Sequence, residues 1–412
     1  MSDLILINIS GEDKPGLTAE VTALLGEFDV DILDVGQSVI HNHLSLGILA
    51  NLPGNTESIC KELLFRVHQS GISVKFSKVE HTSYDEWVKQ QGKNRLILTL
   101  LARRIKATHL AMVSRVISTH GLNIDNITRL SGRVPLSRGD TGTRACVEFS
   151  LRGEPDASLR AELVNVCSKM DIDIAVQEDN VFRRHRRLVA FDMDSTLIDT
   201  EVINDLAREQ GVGEKVASIT GRAMRGEIDF SESLKERVAL LKGLDMGCLN
   251  QIADRLPLME GAEHLFETLN RLGYKTAILS GGFSYFGEVL KEKLGVDYVF
   301  ANVLLNQDGK LTGQVSEPII DASRKATLLE QLAVKENISL QQVVAVGDGA
   351  NDLAMLQKAG LGIAFHAKQI VRDKAGQSIS TLGLDSILFL MGIRDRESLV
   401  SPLYKTVSRL GD

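Results

Sequence analysis

Cysteine is scarce and scattered. The four in 412 residues, Cys60, Cys146, Cys167 and Cys248, form no Cys-x-x-Cys pair and have no histidines at ligand spacing. That spacing argues against a disulfide framework or a zinc site. It suits buried thiols acting as small apolar side chains in a reducing compartment. No apolar run is long enough to span a bilayer. The N-terminus, MSDLILINIS, lacks a basic segment leading into a long apolar one, so no secretory leader is legible. A cytoplasmic protein with no membrane partner is expected. Positive charge is also in deficit: the net charge of −7 disfavours a general nucleic-acid binder, because phosphate backbones attract basic surfaces. The one basic run, Arg183-Arg184-His185-Arg186-Arg187, is short enough to be a solvated linker. Prolines are few, and the balance of 43% hydrophobic to 25% charged residues is that of a globular protein. The length calls for two or three domains.

What is present begins with a weak internal repeat. LILINIS (4–10) is similar to LILTLLA (96–102), and FDVDILDVG (28–36) aligns with HGLNIDNIT (120–128) at the same offset. Each copy reads strand, helix, strand, strand, helix, strand. In the first, Leu17, Val21, Leu24, Leu25 and Phe28 make a helical stripe. The strands DILDVGQSVI and HLSLGILANL follow, then a helix near 58–69 and the strand GISVKFSKV. The second copy has a longer polar hairpin loop, PLSRGDTGT (135–143), before LRAELVNVCSKM and DIDIAVQED. This order is the split βαβ, or ferredoxin-like, unit. It resembles the ACT family of amino-acid-sensing modules, with copies expected over 1–82 and 92–180. The stretch carrying that resemblance is GEDKPGL (11–17). Its glycines and the helix N-terminus could receive a carboxylate. Equally, it could be a tight turn with Pro15 opening the helix. The second copy has ARRIKATHL there, so a symmetric ligand site is in doubt.

From about residue 186 apolar strands (RLVAF, YKTAILS, VDYVFA, VVAVGD, GLGIAF) alternate with amphipathic segments such as AEHLFETLNRLG and KATLLEQLAVKEN. This predicts a Rossmann-like α/β domain, a doubly wound parallel sheet with helices on both faces. Reactive groups in such sheets lie at the carboxyl ends of the strands. Here those ends carry Asp192-Met193-Asp194-Ser195-Thr196, Ser280-Gly281-Gly282 and Gly347-Asp348-Gly349-Ala350-Asn351-Asp352, with Lys325 opening a nearby helix. Converging carboxylates repel unless a cation intervenes. Mg²⁺ suits them and leaves room for a phosphate oxygen. Glycine amides, the Ser280 hydroxyl and the Lys325 ammonium suit the same phosphoryl group. Two carboxylates then remain for a nucleophile and an acid–base. Each piece alone is weak; their joint placement after buried strands is specific.

Residues 186–400 thus resemble the haloacid dehalogenase superfamily, with DMDST, Ser280, Lys325 and GDGAND as its four motifs. The resemblance implies Asp192 as nucleophile and Asp194 as acid–base. It implies Mg²⁺ held by Asp192, the Asp194 backbone carbonyl and Asp348, with Asp352 supporting the metal site and Asn351 orienting Lys325 or phosphate. An aspartate at the second position favours phosphatase over dehalogenase chemistry.

The long insert after the first motif reads as helices forming a cap, about 201–258. Glu201 and Arg237 within it offer a carboxylate for an ammonium and a guanidinium for a carboxylate, and Met224 and Phe230 an apolar wall. DMDSTLIDTEVINDLA, MRGEIDFSESLKERV, LSGGF and GDGANDLAM resemble the phosphoserine phosphatases. In that family, residues matching Glu201, Met224, Phe230, Arg237, Ser280 and Gly281 bind the substrate, and NVLLNQDGKLTGQV (302–315) matches a small hairpin cap. The implied reaction is hydrolysis of phospho-L-serine, the last step of serine biosynthesis, with L-serine as a regulatory ligand and a homodimer through ACT-like sheets. The alternatives are a related capped phosphatase or phosphotransferase acting on another amino acid, and an amino-acid sensor with a relic catalytic domain.

Overall fold

The computed structural model describes residues 3–69, 71–134 and 144–398. The expected hairpin loop at 135–143 lies outside them. The chain divides into two compact units, one ending at Lys93 and the other beginning at Asn94.

The first unit is a four-stranded antiparallel sheet of β1 (Asp3–Glu12), β2 (Asp31–Ile40), β3 (His43–Leu52) and β4 (Ser73–Val79), in the order β2-β3-β1-β4. The helices Leu17–Glu27 and Thr56–Gln69 cover one face. The first buries Leu17, Val21, Leu24 and Leu25, the i, i+4, i+7 stripe of a one-sided helix. It starts at Leu17, with Gly16 as its N-cap at φ 96; Pro15 stands outside the helix and does not open it. The left-handed backbone at Gly16 requires glycine, and a Cβ on Gly11 would lie 3.1 Å from Ile72. Both glycines of GEDKPGL are therefore explained by backbone and packing. An unforeseen helix, His81–Gln90, ends this unit.

The second unit opens with the same topology: β5 (Arg95–Ala102), β6 (Asn123–Arg129), β7 (Ala145–Arg152) and β8 (Asp173–Glu178), ordered β6-β7-β5-β8. It continues into a six-stranded parallel sheet. The strands are β9 (Leu188–Phe191), β10 (Lys275–Phe283), β11 (Tyr298–Asn302), then, past the two-stranded hairpin β12 (Leu304–Gln307) and β13 (Lys310–Val315), β14 (Val343–Gly347), β15 (Leu361–Phe365) and β16 (Gln377–Ile379). Their order is β11-β10-β9-β14-β15-β16.

Every residue of β9 is buried, because both faces are covered. Leu188 and Ala190 pack towards the helix Ala322–Lys335, and Val189 and Phe191 towards Ala262–Arg271. Phe191 meets Phe266 with ring centroids 5.0 Å apart. Phe191 aligns with Ile278 of β10 and Val346 of β14. The residues that follow these three strands therefore emerge side by side, where the chain order reverses on either side of β9.

Helices Val202–Glu209, Gly213–Met224, Phe230–Ala239 and Met246–Asp254 fill the insert between β9 and β10. The β12–β13 hairpin is bonded to that insert: Gly243 N donates to Leu311 O (2.8 Å), Leu311 N to Leu244 O (2.9 Å) and Met246 N to Gly309 O (2.9 Å). The two caps are thus one joined structure.

Candidate active site

Strand β9 ends in Asp192, whose amide donates to Val346 O at 2.9 Å. The chain then turns sharply. Met193 O accepts from the amides of Thr196, Leu197 and Ile198, and Ser195 is left-handed at φ 57. This loop turns Asp194 back beneath the cap, where its carboxylate accepts from Val202 N, 3.0 Å away at the start of the first cap helix.

The helix Ala322–Lys335 is capped by Asp321, which accepts from Arg324 N at 2.8 Å. This cap places Lys325 in the first turn, fully buried, with Nζ 2.9 Å from Asp192 Oδ2 and 2.8 Å from Asp352 Oδ1. Burial works against its charge, but Asp192 and Asp352 more than offset that and hold the ammonium above its ordinary pKa. Gly347 leaves room for the Asp352 side chain, which lies where a Cβ would stand. The other Asp352 oxygen accepts from Gly349 N at 3.0 Å.

Asp348 lies on the open side. Its carboxylate accepts from the Thr196 hydroxyl at 3.1 Å. Burial, then the charges of Asp192 and Asp352, push it up to about 7. Carboxylate oxygens of Asp192, Asp348 and Asp352 lie within 4.8 Å of one another. Lys325 answers Asp192 and Asp352, and Asp348 faces them without an ammonium of its own. This donor set, all hard oxygens with one carboxylate raised by burial and by its neighbours' charges, fits a divalent cation such as Mg²⁺.

Burial, then the charges of Glu201 and Asp192, raise the Asp194 carboxyl well above the carboxylate range. Glu201 is also raised, chiefly by burial, while the Ser195 hydroxyl, 3.2 Å away, holds it down. Arg237, anchored by its Nε to Ser233 O at 3.1 Å, is lowered by burial and sustained by Glu201 and Asp194. Phe230 is the first residue of its helix. Asp229 and Glu232 close a capping box around it: Glu232 N donates to Asp229 (2.8 Å) and Asp229 N to Glu232 (3.3 Å).

These groups surround a cavity of about 630 Å³ lined by Asp192, Asp194, Glu201, Met224, Phe230, Arg237, Ser280, Gly281, Asp348 and Asn351. Lys325 and Asp352 stand behind that wall, fully buried. All the residues that the sequence assigns to the phosphatase site are thus brought to one place. Ser280 and Gly281 sit within β10 rather than in a loop after it, and the buried Ser280 hydroxyl accepts from Gly282 N at 3.0 Å.

Other contributors were not foreseen. Thr196 holds Asp348, Ser195 holds Glu201, and Asn302 donates to Gly281 O (2.9 Å) while accepting from Ile320 N (2.8 Å). His366 and Lys368 also line the cavity. They follow β15, so inspecting that fifth strand end would have found them.

Gly281 faces the ring of Phe230, 2.8 Å from the Cβ it would carry as alanine. Gly281→Ala is therefore expected to displace Phe230 and raise KM for the preferred phosphate ester on the order of tenfold, with an unchanged circular dichroism spectrum. An unaltered KM would remove Phe230 from the substrate wall.

Family models match three parts of the chain: the ACT domain at residues 3–77 and again at 96–177, and the haloacid dehalogenase-like hydrolase at 186–360. A phosphoserine phosphatase of Streptomyces coelicolor is 39% identical over 393 residues, covering 95% of this chain and 93% of its own. The chain belongs to the phosphoserine phosphatase family. It is a phosphatase enzyme, with two ACT domains ahead of the hydrolase fold. A phosphoserine phosphatase of Mycobacterium tuberculosis is 38% identical over 400 residues, 94% of this chain and 93% of its own. The unliganded structure of a probable phosphoserine phosphatase from Vibrio cholerae is similar with a TM-score of 0.59 and 33% identity, over 74% of this chain and 88% of that one. No helix among the described residues is long and apolar enough to cross a membrane.

Proposed function

We propose that the chain hydrolyses O-phospho-L-serine to L-serine and phosphate through an aspartyl-phosphate on Asp192, as the last step of serine biosynthesis. The observation carrying this reading is one cavity lined by two kinds of group. Asp192 lies against the buried Lys325 ammonium, and beside it burial and the charge of Glu201 raise the Asp194 carboxyl, which favours its protonated form. The same cavity is lined by Glu201 and Arg237, which can pair with an ammonium and a carboxylate.

A carboxylate oxygen of Asp192 attacks phosphorus, and the bond from phosphorus to the serine oxygen breaks. Asp194 gives that oxygen its proton, so L-serine leaves neutral at the hydroxyl. Asp194, now ionised, takes a proton from water as the water oxygen attacks phosphorus. The bond to Asp192 then breaks and phosphate departs. Ser280, the Gly281 amide, Asn351 and Lys325 hold the phosphoryl oxygens throughout. Metal dependence is a property of the family. Asp192, the Asp194 carbonyl and Asp348 would hold Mg²⁺ here, which supplies positive charge to the phosphoryl oxygens. The helical cap excludes water from the ester.

Phosphate release from a panel of phosphoserine, phosphothreonine, sugar phosphates and p-nitrophenyl phosphate, with and without Mg²⁺, tests the reading. Phosphoserine should lead by a wide margin and only with divalent cation. Equal rates across the panel would refute it. Arg237→Ala should lower kcat/KM for phosphoserine roughly 10- to 100-fold, the loss of one hydrogen bond to a charged group. Turnover of p-nitrophenyl phosphate, which has no carboxylate, should stay within about threefold.

The first ACT domain supports a further reading as a site for L-serine, since ACT domains generally bind amino acids. Strand β2 is exposed along its whole length, with Val35 55% and Ile40 76% open. This supports a homodimer that covers it. Calorimetry of the full chain with L-serine, and its sedimentation, test the two.

A further inference from the structure

Strand β16 is three residues long. It pairs with β15 through Ala364–Ser378 and Phe365–Ile379, and the second ACT domain takes its other side. Gln377 is buried, and its side-chain amide acts as one peptide group against β8. Val176 N donates to its Oε1 at 2.9 Å, and its Nε2 donates to Val176 O at 2.7 Å. Asp173, the first residue of β8, is only 6% exposed. One of its carboxylate oxygens accepts from Ser380 N, Thr381 N and the Thr381 hydroxyl, each at 2.8 Å. Arg160 donates to Ala375 O at 2.5 Å. Residues 375–381 are thus held from the ACT side at three places.

Among the described residues Asp173 has no cationic partner. A buried carboxylate satisfied only by one turn is costly unless that turn stays in place. It therefore holds a specific geometry more than it adds net stability.

That turn leads to the cavity. His366 N donates to Ile379 O at 2.8 Å, and its ring Nε2 lies 2.9 Å from Leu382 O. The ring stacks on Phe365 with centroids 4.2 Å apart. The His366 backbone is left-handed at φ 47, a conformation a non-glycine residue keeps only when its surroundings dictate it. The surroundings here are the carbonyls of Ile379 and Leu382, one on each side of the turn that Asp173 grips. His366, Lys368, Ile370 and Val371 form the cavity wall beside β15. The local elements, a three-residue strand and the short turn Leu384–Ser386, are too small to fix this wall alone.

We propose that Asp173 of the second ACT domain is a positioning residue for the phosphatase reaction, holding the Ser380–Thr381 turn and through it the His366–Lys368 wall of the substrate cavity. The second ACT domain is then a fixed part of the active site, and the first is not needed for this role. The proposal rests on the phosphoserine reading for its substrate but not for its geometry.

The test is steady-state kinetics and amide exchange on the full chain carrying Asp173→Ala, Asp173→Asn or Gln377→Ala. Asp173→Ala is expected to raise KM for phosphoserine on the order of tenfold, with kcat within about threefold, because Asp192, Asp194 and Lys325 lie on other elements. Exchange at Ser380, Thr381 and His366 should accelerate. Asp173→Asn keeps an acceptor oxygen and should recover most of the KM. Should Asp173→Ala fail to fold, Gln377→Ala, which frees the same segment from β8, must show the same rise in KM, and an unchanged KM in that variant overturns the proposal. Faster exchange with an unchanged KM also overturns it, since the wall then moves without consequence. If the wild-type chain turns over p-nitrophenyl phosphate and not phosphoserine, the substrate reading has failed. The same KM comparison then decides the positioning role on the ester that the panel identifies.

Discussion

Asp192→Asn is expected to leave a folded protein that releases phosphate at least about 10³-fold more slowly than the wild type, as removal of a covalent nucleophile does. The amide is isosteric, and its Oδ1 can still accept from Lys325. Lys325 also keeps its 2.8 Å contact with Asp352, so no buried ammonium is stranded. Strand β9 is buried by apolar side chains on both faces and does not depend on the carboxylate. What the variant lacks is an anionic oxygen to attack phosphorus. The measurement is a single-turnover phosphate-release assay under saturating Mg²⁺, with circular dichroism and the urea midpoint as controls. Release within tenfold of wild type from a chain verified free of deamidation would sink the covalent mechanism.

Lys325→Met is expected to cost both activity and about 3–5 kcal/mol of stability, the range for stranding a buried charge. Methionine fills much of the lysine stem but leaves Asp192 and Asp352 facing each other in a dry site. Since a whole domain is stable by only about 5–15 kcal/mol, the loss should be plain in urea. Its pH dependence is distinctive. Asp352 is already raised above the usual carboxylate range by burial and by Asp192, with Lys325 opposing the rise. Without Lys325 it rises further. A carboxyl whose folded pKa exceeds its unfolded value binds more protons folded than unfolded, so stability falls as pH rises between the two. The cost of the substitution should thus be smallest near about pH 4–5 and fully developed by about pH 8. Urea midpoints of both chains in chelator, at those pH values, measure it. An equal loss at both would show that packing, not charge, is Lys325's contribution.

Much of the site was legible because its chemistry is local in the sequence. Asp192 and Asp194 share one turn, Gly347 to Asp352 another, and each follows a run of apolar residues that had to be a buried strand. The overlooked contributors lack such signatures. Asn302 and Thr196 are ordinary polar residues whose roles exist only once Gly281 and Asp348 come beside them. Strand β16 escaped because three residues carry no periodicity, and its pairing is completed by the side chain of Gln377. The stripe of the helix Leu17–Glu27 is plain in the sequence, but Pro15, one of the two readings open there, stands two residues before its start. Proline fixes φ wherever the chain enters a helix, and only the left-handed Gly16 showed where the cap lay.

By itself, then, the sequence determined the alternation of buried strands and amphipathic helices, the repeat of the ACT topology, and the residue types at three strand ends. Those follow from local periodicity and from the cost of burying carboxylates without a counter-charge. Only the tertiary structure decided that Lys325 bridges Asp192 and Asp352, that the hairpin and helical caps are bonded into one, and that Asp173 grips the Ser380–Thr381 turn. These depend on which strands lie side by side. Strand order is set by packing both faces of the sheet at once, which no single stretch of residues records.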